Sequence, residues 1–282
     1  MLLIVPCLAT AQNDVNYYMN LGKRARETNN LLNSLRYFKK AQLLDPLSSD
    51  IFLNIGVTFG DKSDLDSALY YLEKATILDS LNHEAFAYMA NAYLPLDDYN
   101  KGMAAINKAL QIKSGDARYL SIRALFEIDT IPKTAIQDLT LAIEADSTES
   151  NYYYNRARAY SKLNNDDQAI LDLYKALEYN PEYVKAYINR AHLFRKKEAY
   201  EMAKFDLNKA IQLDDKCSMA YLNRGLINLQ LKKKKLAYED FLHAYYLGNE
   251  NAESVIKEYC PARYRKLINK KQITNSKKII SL

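Results

Sequence analysis

The chain repeats itself every 34 residues, and that period excludes most of the ways a sequence of this length can fold. Tyr153-Tyr154-Asn155-Arg156-Ala157 returns as Tyr187-Ile188-Asn189-Arg190-Ala191 and again as Tyr221-Leu222-Asn223-Arg224-Gly225. The second half of each copy returns in step: Ala169, Leu173 and Ala176 become Ala203, Leu207 and Ala210, then Ala237, Phe241 and Ala244. Towards the N-terminus the same frame finds Gly22, Phe38, Ala41 and Pro46, then Gly56, Ala68, Leu72 and Ala75, then Ala90, Gly102, Ile106 and Ala109. One further copy, a residue short between its halves, runs from Ala124 through Ala135 and Leu139 to Ala142. Seven copies follow, at 15–48, 49–82, 83–116, 117–149, 150–183, 184–217 and 218–251. A fixed period of this size means one supersecondary unit stacked along a line, not a single enlarged core.

Each copy carries two runs in which apolar residues recur at i, i+3, i+4 and i+7, the spacing of one helix face. Only 7 Gly and 6 Pro interrupt 282 residues, so breakers are rare. The unit is therefore a pair of antiparallel helices and the fold class is all-α. Small residues at positions 8, 20 and 27 let the helices approach closely. Aromatic rings at position 4 (Tyr18, Phe52, Phe86, Tyr153, Tyr187, Tyr221) fill the space between units. The last unit needs a cap, and Asn251 to Tyr259, with Ala252, Val255 and Ile256 at helical spacing, predicts a capping helix ended by Pro261. A basic tail follows within 252–282.

Comparing copies with one another isolates a pairing. Position 7 is Arg in the last four (Arg123, Arg156, Arg190, Arg224), and position 23 is Asp in the same four (Asp138, Asp172, Asp206, Asp240). The first three copies have neither: Leu21, Ile55 and Met89 face Tyr37, Tyr71 and Ala105. Arg and Asp appear together or not at all, which predicts an ion pair between the two helices of each late unit. The planar guanidinium suits such a pair because it meets a carboxylate with two parallel hydrogen bonds. Four copies in register argue for architecture, not catalysis. The switch in chemistry falls near the shortened fourth copy, at Ile131-Pro132, and is read as a change of local geometry.

The frame resembles the tetratricopeptide repeat family over residues 15–251. That resemblance implies a right-handed α-α superhelical solenoid of about seven helix-turn-helix units plus a C-terminal capping helix. It also implies a concave groove, lined by positions 2, 5, 6, 9 and 12–13 of the first helices, in which peptides or partner helices lie. Position 6 here is Asn in five copies (Asn20, Asn54, Asn155, Asn189, Asn223), and an amide offers both donors and an acceptor to an extended peptide. Groove positions of the fifth and sixth copies add Arg158, Lys162, Lys185, His192, Arg195 and Lys196, which would attract an acidic peptide or a C-terminal carboxylate. The carboxylate clamp of chaperone-binding relatives is not reproduced, since Lys23 and Asn54 are followed by Glu84 and Tyr88. The expected function is a non-catalytic scaffold for a protein or peptide partner. The alternative is a structural subunit of an envelope or secretion assembly.

The net charge of +5 hides a localised excess: residues 251–282 carry eight Lys/Arg against two Glu, so the body is close to neutral. A nucleic-acid partner is not expected, because it calls for a basic face on the folded part. Membrane contact through the tail or through Lys232–Lys235 is not expected either. Phosphate-loop and hydrolase signatures are absent from the sequence, so neither a small-molecule substrate nor a cofactor is expected. Cys7, Cys217 and Cys260 form no CxxC, and His83, His192 and His243 have no metal-ligand spacing, so no metal is expected. Residues 1–11 end in an apolar run and Ala9-Thr10-Ala11, the look of a truncated signal peptide, which points to a secreted or periplasmic protein. An apolar stub on a cytoplasmic protein is the alternative.

Overall fold

The computed structural model describes residues 5–274, with side chains described from 14 to 268. The first four residues of the expected leader, and 275–282 of the basic tail with Lys277 and Lys278, lie outside the described residues. Among the described residues the chain forms α-helices and one short 3-10 turn, with no strand. It divides into two compact units, one up to Ser147 and one from Thr148 onward.

The first unit stacks four helical hairpins: α1 (Val5–Glu27) with α2 (Leu31–Leu44), α3 (Ser49–Asp61) with α4 (Leu65–Leu78), α5 (His83–Tyr93) with α6 (Tyr99–Ile112), and α7 (Ala117–Glu127) with α8 (Pro132–Ala145). The second unit stacks three more: α9 (Ser150–Lys162) with α10 (Asp166–Tyr179), α11 (Val184–Lys196) with α12 (Tyr200–Leu213), and α13 (Ser218–Gln230) with α14 (Lys234–Tyr246). The boundary between units lies after α8, so it does not coincide with the switch to Arg–Asp chemistry, which begins within α7 and α8.

The end of the chain departs from the expected single cap. α15 (Ala252–Tyr259) stops before Pro261, but a further helix, α16 (Ala262–Thr274), follows at once. α16 looked like tail because it is basic and polar. Two residues one turn apart hold it: Ile268 is buried, and Tyr264 meets Tyr238 of α14 edge-on with ring centroids 5.1 Å apart.

Turn chemistry explains both the regularity of the hairpins and the irregular fourth one. Asn29, Ser63, Asp97, Asn164, Glu198 and Lys232 all have positive φ, between 53° and 60°, and all occupy the same place in the turn between paired helices. A left-handed residue there reverses the chain in the fewest steps. The residue missing from the fourth copy is this one. The chain instead passes through Ile131 into Pro132 at the first turn of α8, where a fixed φ starts a helix without needing an N–H. The next residue in most turns caps the following helix: side chains of Asn30, Asp64, Asp98 and Asn165 accept a backbone N–H three residues on.

Inside each hairpin, position 8 meets position 24. Phe38 and Phe241 are fully buried, and each sits where a Cβ on Gly22 or Gly225 would come within 2.4 or 2.5 Å of the ring. Where position 24 is Leu139, Leu173 or Leu207, position 8 is Ala124, Ala157 or Ala191. Gly22 and Gly225 thus make room for a ring, whereas Gly56 lies against Leu72. Gly225→Ala is expected to destabilise the second unit by about 1–3 kcal/mol through overpacking. Adding Phe241→Leu should recover most of that in urea unfolding, and no recovery would place the cost elsewhere.

Candidate functional site

The helices that present candidate residues are fixed from behind by the Arg–Asp pairs. Arg190 donates Nε and Nη2 to the two carboxylate oxygens of Asp206 at 2.8 and 2.7 Å, and both side chains are buried. Arg156 meets Asp172 in the same two-pronged way at 2.8 Å, and Arg123 meets Asp138 at 2.6 and 2.7 Å. Arg224 reaches Asp240 at 2.6 Å, with Asn228 Nδ2 donating to the same carboxylate at 2.9 Å. The hydrogen bonds hold the guanidinium charged, raising the pKa of Arg156 and Arg123 above the ordinary arginine value.

The guanidinium also reaches the preceding hairpin, a role sequence reasoning missed. Arg224 Nη1 donates to Asn208 at 2.9 Å, Arg123 Nη1 to Asn107 at 3.5 Å, and Arg190 lies over the Tyr174 ring at 4.2 Å. Asn107, Tyr174 and Asn208 hold the same repeat position, directly after the buried position-24 residue. Each of these arginines therefore ties its own hairpin together and to its neighbour, which couples adjacent repeats. The signal was present in the frame, but Asn and Tyr at one position do not look alike until both are seen to face a guanidinium.

In the second unit, α9, α10 and α11 enclose an open cavity of about 180 Å³. Its floor is Ala157, Leu173 and Leu193, and its rim is Arg158, Ser161, Lys162, Asn189 and His192. Arg158 Nη1 donates to Asn155 Oδ1 at 3.3 Å, and Asn189 Nδ2 donates to Tyr154 Oη at 3.2 Å. Tyr154 packs on Tyr183, ring centroids 4.8 Å apart, and Tyr183 donates its hydroxyl to Asn151 at 2.8 Å. Burial and the neighbouring Tyr154 push the Tyr183 phenol up to about 12, so it remains a donor at any physiological pH. Partial burial, then the cations of Arg195 and Lys196, hold His192 below the ordinary histidine value, with Asp166 pulling the other way. The ring is therefore neutral at pH 7, and the fixed positive charge on this rim comes from Arg158 and Lys162.

The remaining candidates are dispersed. Lys196 is bound to Asp166 at 2.7 Å, and Arg195 Nη2 lies 3.5 Å from His192 Nδ1. Lys185 is exposed and does not line the cavity. The five position-6 asparagines differ in exposure and in partners. Asn54 is buried, its amide donating to Asp50 O at 2.8 Å while Arg26 donates to its carbonyl at 3.4 Å. Asn155 is buried beneath Arg158. Asn20 is exposed, whereas Asn189 and Asn223 are half-buried. Identical residues at one position thus have different availability, because the long cations beside them differ.

The first unit holds a larger cavity, of about 450 Å³, between α3, α4 and α5. Its floor is Gly56, Val57, Ala68 and Leu72, and its rim includes Gly60, Asp61, Ser63, Tyr88 and Asn91. Gly56, Gly60, Leu72 and Asn91 occupy the repeat positions that Ala157, Ser161, Leu173 and His192 occupy in the second unit. The two cavities are one feature of the repeat with opposite dressing, acidic in one and basic in the other. Among the described residues no group of His, Cys, Asp and Glu is arranged to hold a metal, and no helix is long and apolar enough to cross a membrane.

Residues 83–116, 150–183 and 184–217 match the family model of the tetratricopeptide repeat. Those three stretches are tetratricopeptide repeats. Two of those matched repeats enclose the second unit's cavity, and the third supplies Tyr88 and Asn91 to the first unit's. Among solved structures, a tetratricopeptide repeat protein from Parabacteroides merdae is similar over 90% of this chain and 98% of its own, at 20% identity and TM-score 0.66. PilW, a widely conserved type IV pilus biogenesis factor, is similar over 74% and 98%, at 20% identity and TM-score 0.69. YrrB, a tetratricopeptide repeat protein with an unusual peptide-binding site, is similar over 70% and 97%, at 22% identity and TM-score 0.52. No protein of curated function matches the chain. The repeat fold supports a protein-interaction scaffold.

Proposed function

We propose that the chain is a non-catalytic scaffold whose second unit binds an acidic peptide, or a peptide's C-terminal carboxylate, at the cavity between α9, α10 and α11. One observation carries this reading. Arg158, Lys162, Asn189 and His192 converge on a small opening with an apolar floor, so a carboxylate meets cations and amide donors while its aliphatic stem covers Leu173 and Leu193. The Tyr154–Tyr183 stack and the Arg158–Asn155 bond hold two of these donors in place before a ligand arrives, which lowers the ordering cost of binding.

The test is a titration of the whole chain with fluorescent acidic peptides bearing a free C-terminus. Arg158→Ala with Asn189→Ala should weaken binding by tenfold or more, about 1.4 kcal/mol or above. A bound carboxylate favours protonated His192, so affinity should rise as pH falls from 7 towards 5.5, and His192→Gln should flatten that rise. Binding that ignores both the double substitution and the salt concentration would sink the reading.

A further inference from the structure

Seven glycines occur in the chain, and six have a structural reason to be there. Gly22, Gly56, Gly102 and Gly225 sit where a Cβ would come within 2.7 Å of a neighbouring side chain, and Gly115 and Gly248 have φ of +72° and +85°. Gly60 has neither. It lies in the last turn of α3, away from the left-handed region, and a Cβ there would meet nothing within 4 Å. A helical glycine is less stable than alanine at the same place, so its lack of a side chain calls for another explanation. The open space in front of it is the first unit's cavity.

We infer that this cavity is a second binding site, which receives one bulky apolar side chain of a peptide that carries Lys or Arg beside it. The volume of about 450 Å³ and a floor of Val57, Ala68 and Leu72 suit a Leu, Met or Phe side chain. The rim sets the charge. Asp61, at the mouth, is 46% exposed, and the Arg26 guanidinium is 4.0 Å away, at the outer limit of pairing. Arg26 also donates to Asn54, so its charge is shared. A peptide cation would therefore find an accessible carboxylate directly above an apolar opening. The side chains of Tyr88 and Asn91, on α5, make no hydrogen bond to another described residue and leave donors free for a peptide backbone. This site does not rest on the acidic-peptide reading: it lies in the other unit and selects the opposite charge.

The experiment measures fluorescence polarisation of the full chain with four labelled, end-capped octapeptides centred on Lys-Phe-Lys, Lys-Ala-Lys, Glu-Phe-Glu and Lys-Leu-Lys. The Phe and Leu peptides with flanking Lys are expected to bind at least tenfold more tightly than Lys-Ala-Lys, and at least tenfold more tightly than Glu-Phe-Glu when Arg158→Ala with Asn189→Ala has removed the acidic-peptide site. Gly60→Leu fills the cavity and should abolish that preference, while the melting temperature stays equal to or above that of the unsubstituted chain, because leucine is the better helix former. Asp61→Asn should weaken the basic peptides several-fold and should not weaken Glu-Phe-Glu. Arg158→Ala with Asn189→Ala should leave the affinities of the three Lys-flanked peptides as they were and weaken Glu-Phe-Glu alone, which separates this site from the one in the second unit. The inference is overturned if Lys-Phe-Lys does not bind at about 1 mM. It is overturned equally if Gly60→Leu binds Lys-Phe-Lys as before, or if Glu-Phe-Glu binds as well as Lys-Phe-Lys to the chain carrying Arg158→Ala with Asn189→Ala, as a purely apolar pocket for small molecules would allow.

Discussion

Asp206→Ala is expected to destabilise the second unit by about 3–5 kcal/mol, the range for breaking a buried ion pair from one side. Asp206 is 1% exposed and accepts both prongs of Arg190, whose side chain is 8% exposed. Removing the carboxylate strands a guanidinium among apolar groups. The Tyr174 face at 4.2 Å offsets part of that cost and cannot replace two charge-assisted hydrogen bonds. The pair itself need not be stabilising relative to an apolar contact. Arg190→Met combined with Asp206→Leu should therefore recover most of the loss, as the first three hairpins manage with uncharged residues at these positions. Arg123–Asp138 is the control: its arginine side chain is 28% exposed, so Asp138→Ala should cost less. Urea unfolding read by hydrogen exchange within α11 and α12 is the appropriate measure, because repeat stacks do not unfold as one unit. A cost below about 1 kcal/mol for Asp206→Ala would mean that the pair is solvated in practice.

These side chains illustrate what a lone sequence can carry. Arg190 and Asp206 were recognisable because position 7 and position 23 change together across copies, so the chain serves as its own alignment. They meet at 2.7 Å across sixteen residues. The hairpins were legible for the same reason, since apolar spacing and small residues recur in frame. What depends on the neighbour of a neighbour was not legible. Asn54 and Asn155 have the same residue type and repeat position as Asn223, yet Arg26 and Arg158 cover them, and the reach of a long side chain is not written in its position. The cavity beside Gly60 is an absence, and an absence leaves only the weak trace of a glycine without a turn. α16 was hidden because, among its described side chains, Tyr264 and Ile268 are the anchors of a helix that otherwise reads as basic tail. Lys232 and Glu198 adopt a left-handed conformation that neither residue type announces.

Glu127 brings a pH dependence to the first unit. It is 4% exposed, its Oε2 has no hydrogen-bond partner, and it sits near Asp138 and Arg123, while Nε and Nη2 of that arginine are engaged by Asp138. Burial first, and then the Asp138 carboxylate, raise its pKa above the ordinary glutamate value, with Arg123 opposing. The folded state thus holds this proton more tightly than the unfolded chain does. The stability it contributes is complete below the unfolded pKa, about 4.3, and is lost as pH rises through the raised folded value. The seventh repeat indicates what the position prefers. Asn228 occupies the equivalent place and donates its amide to Asp240 at 2.9 Å, a bond that a protonated Glu127 can imitate and an ionised one cannot. Glu127→Gln supplies that donor at every pH. It is expected to stabilise the first unit at pH 7 by about 1–3 kcal/mol, the scale of satisfying a buried polar group. At pH 4 it should change little. Thermal unfolding and hydrogen exchange in α7 and α8, recorded for both proteins from pH 4 to 8, measure the difference directly. Carboxylates common to the two proteins cancel in that difference, so parallel pH profiles would mean that Glu127 remains ionised and solvated, and that the resemblance to Asn228 is one of position alone.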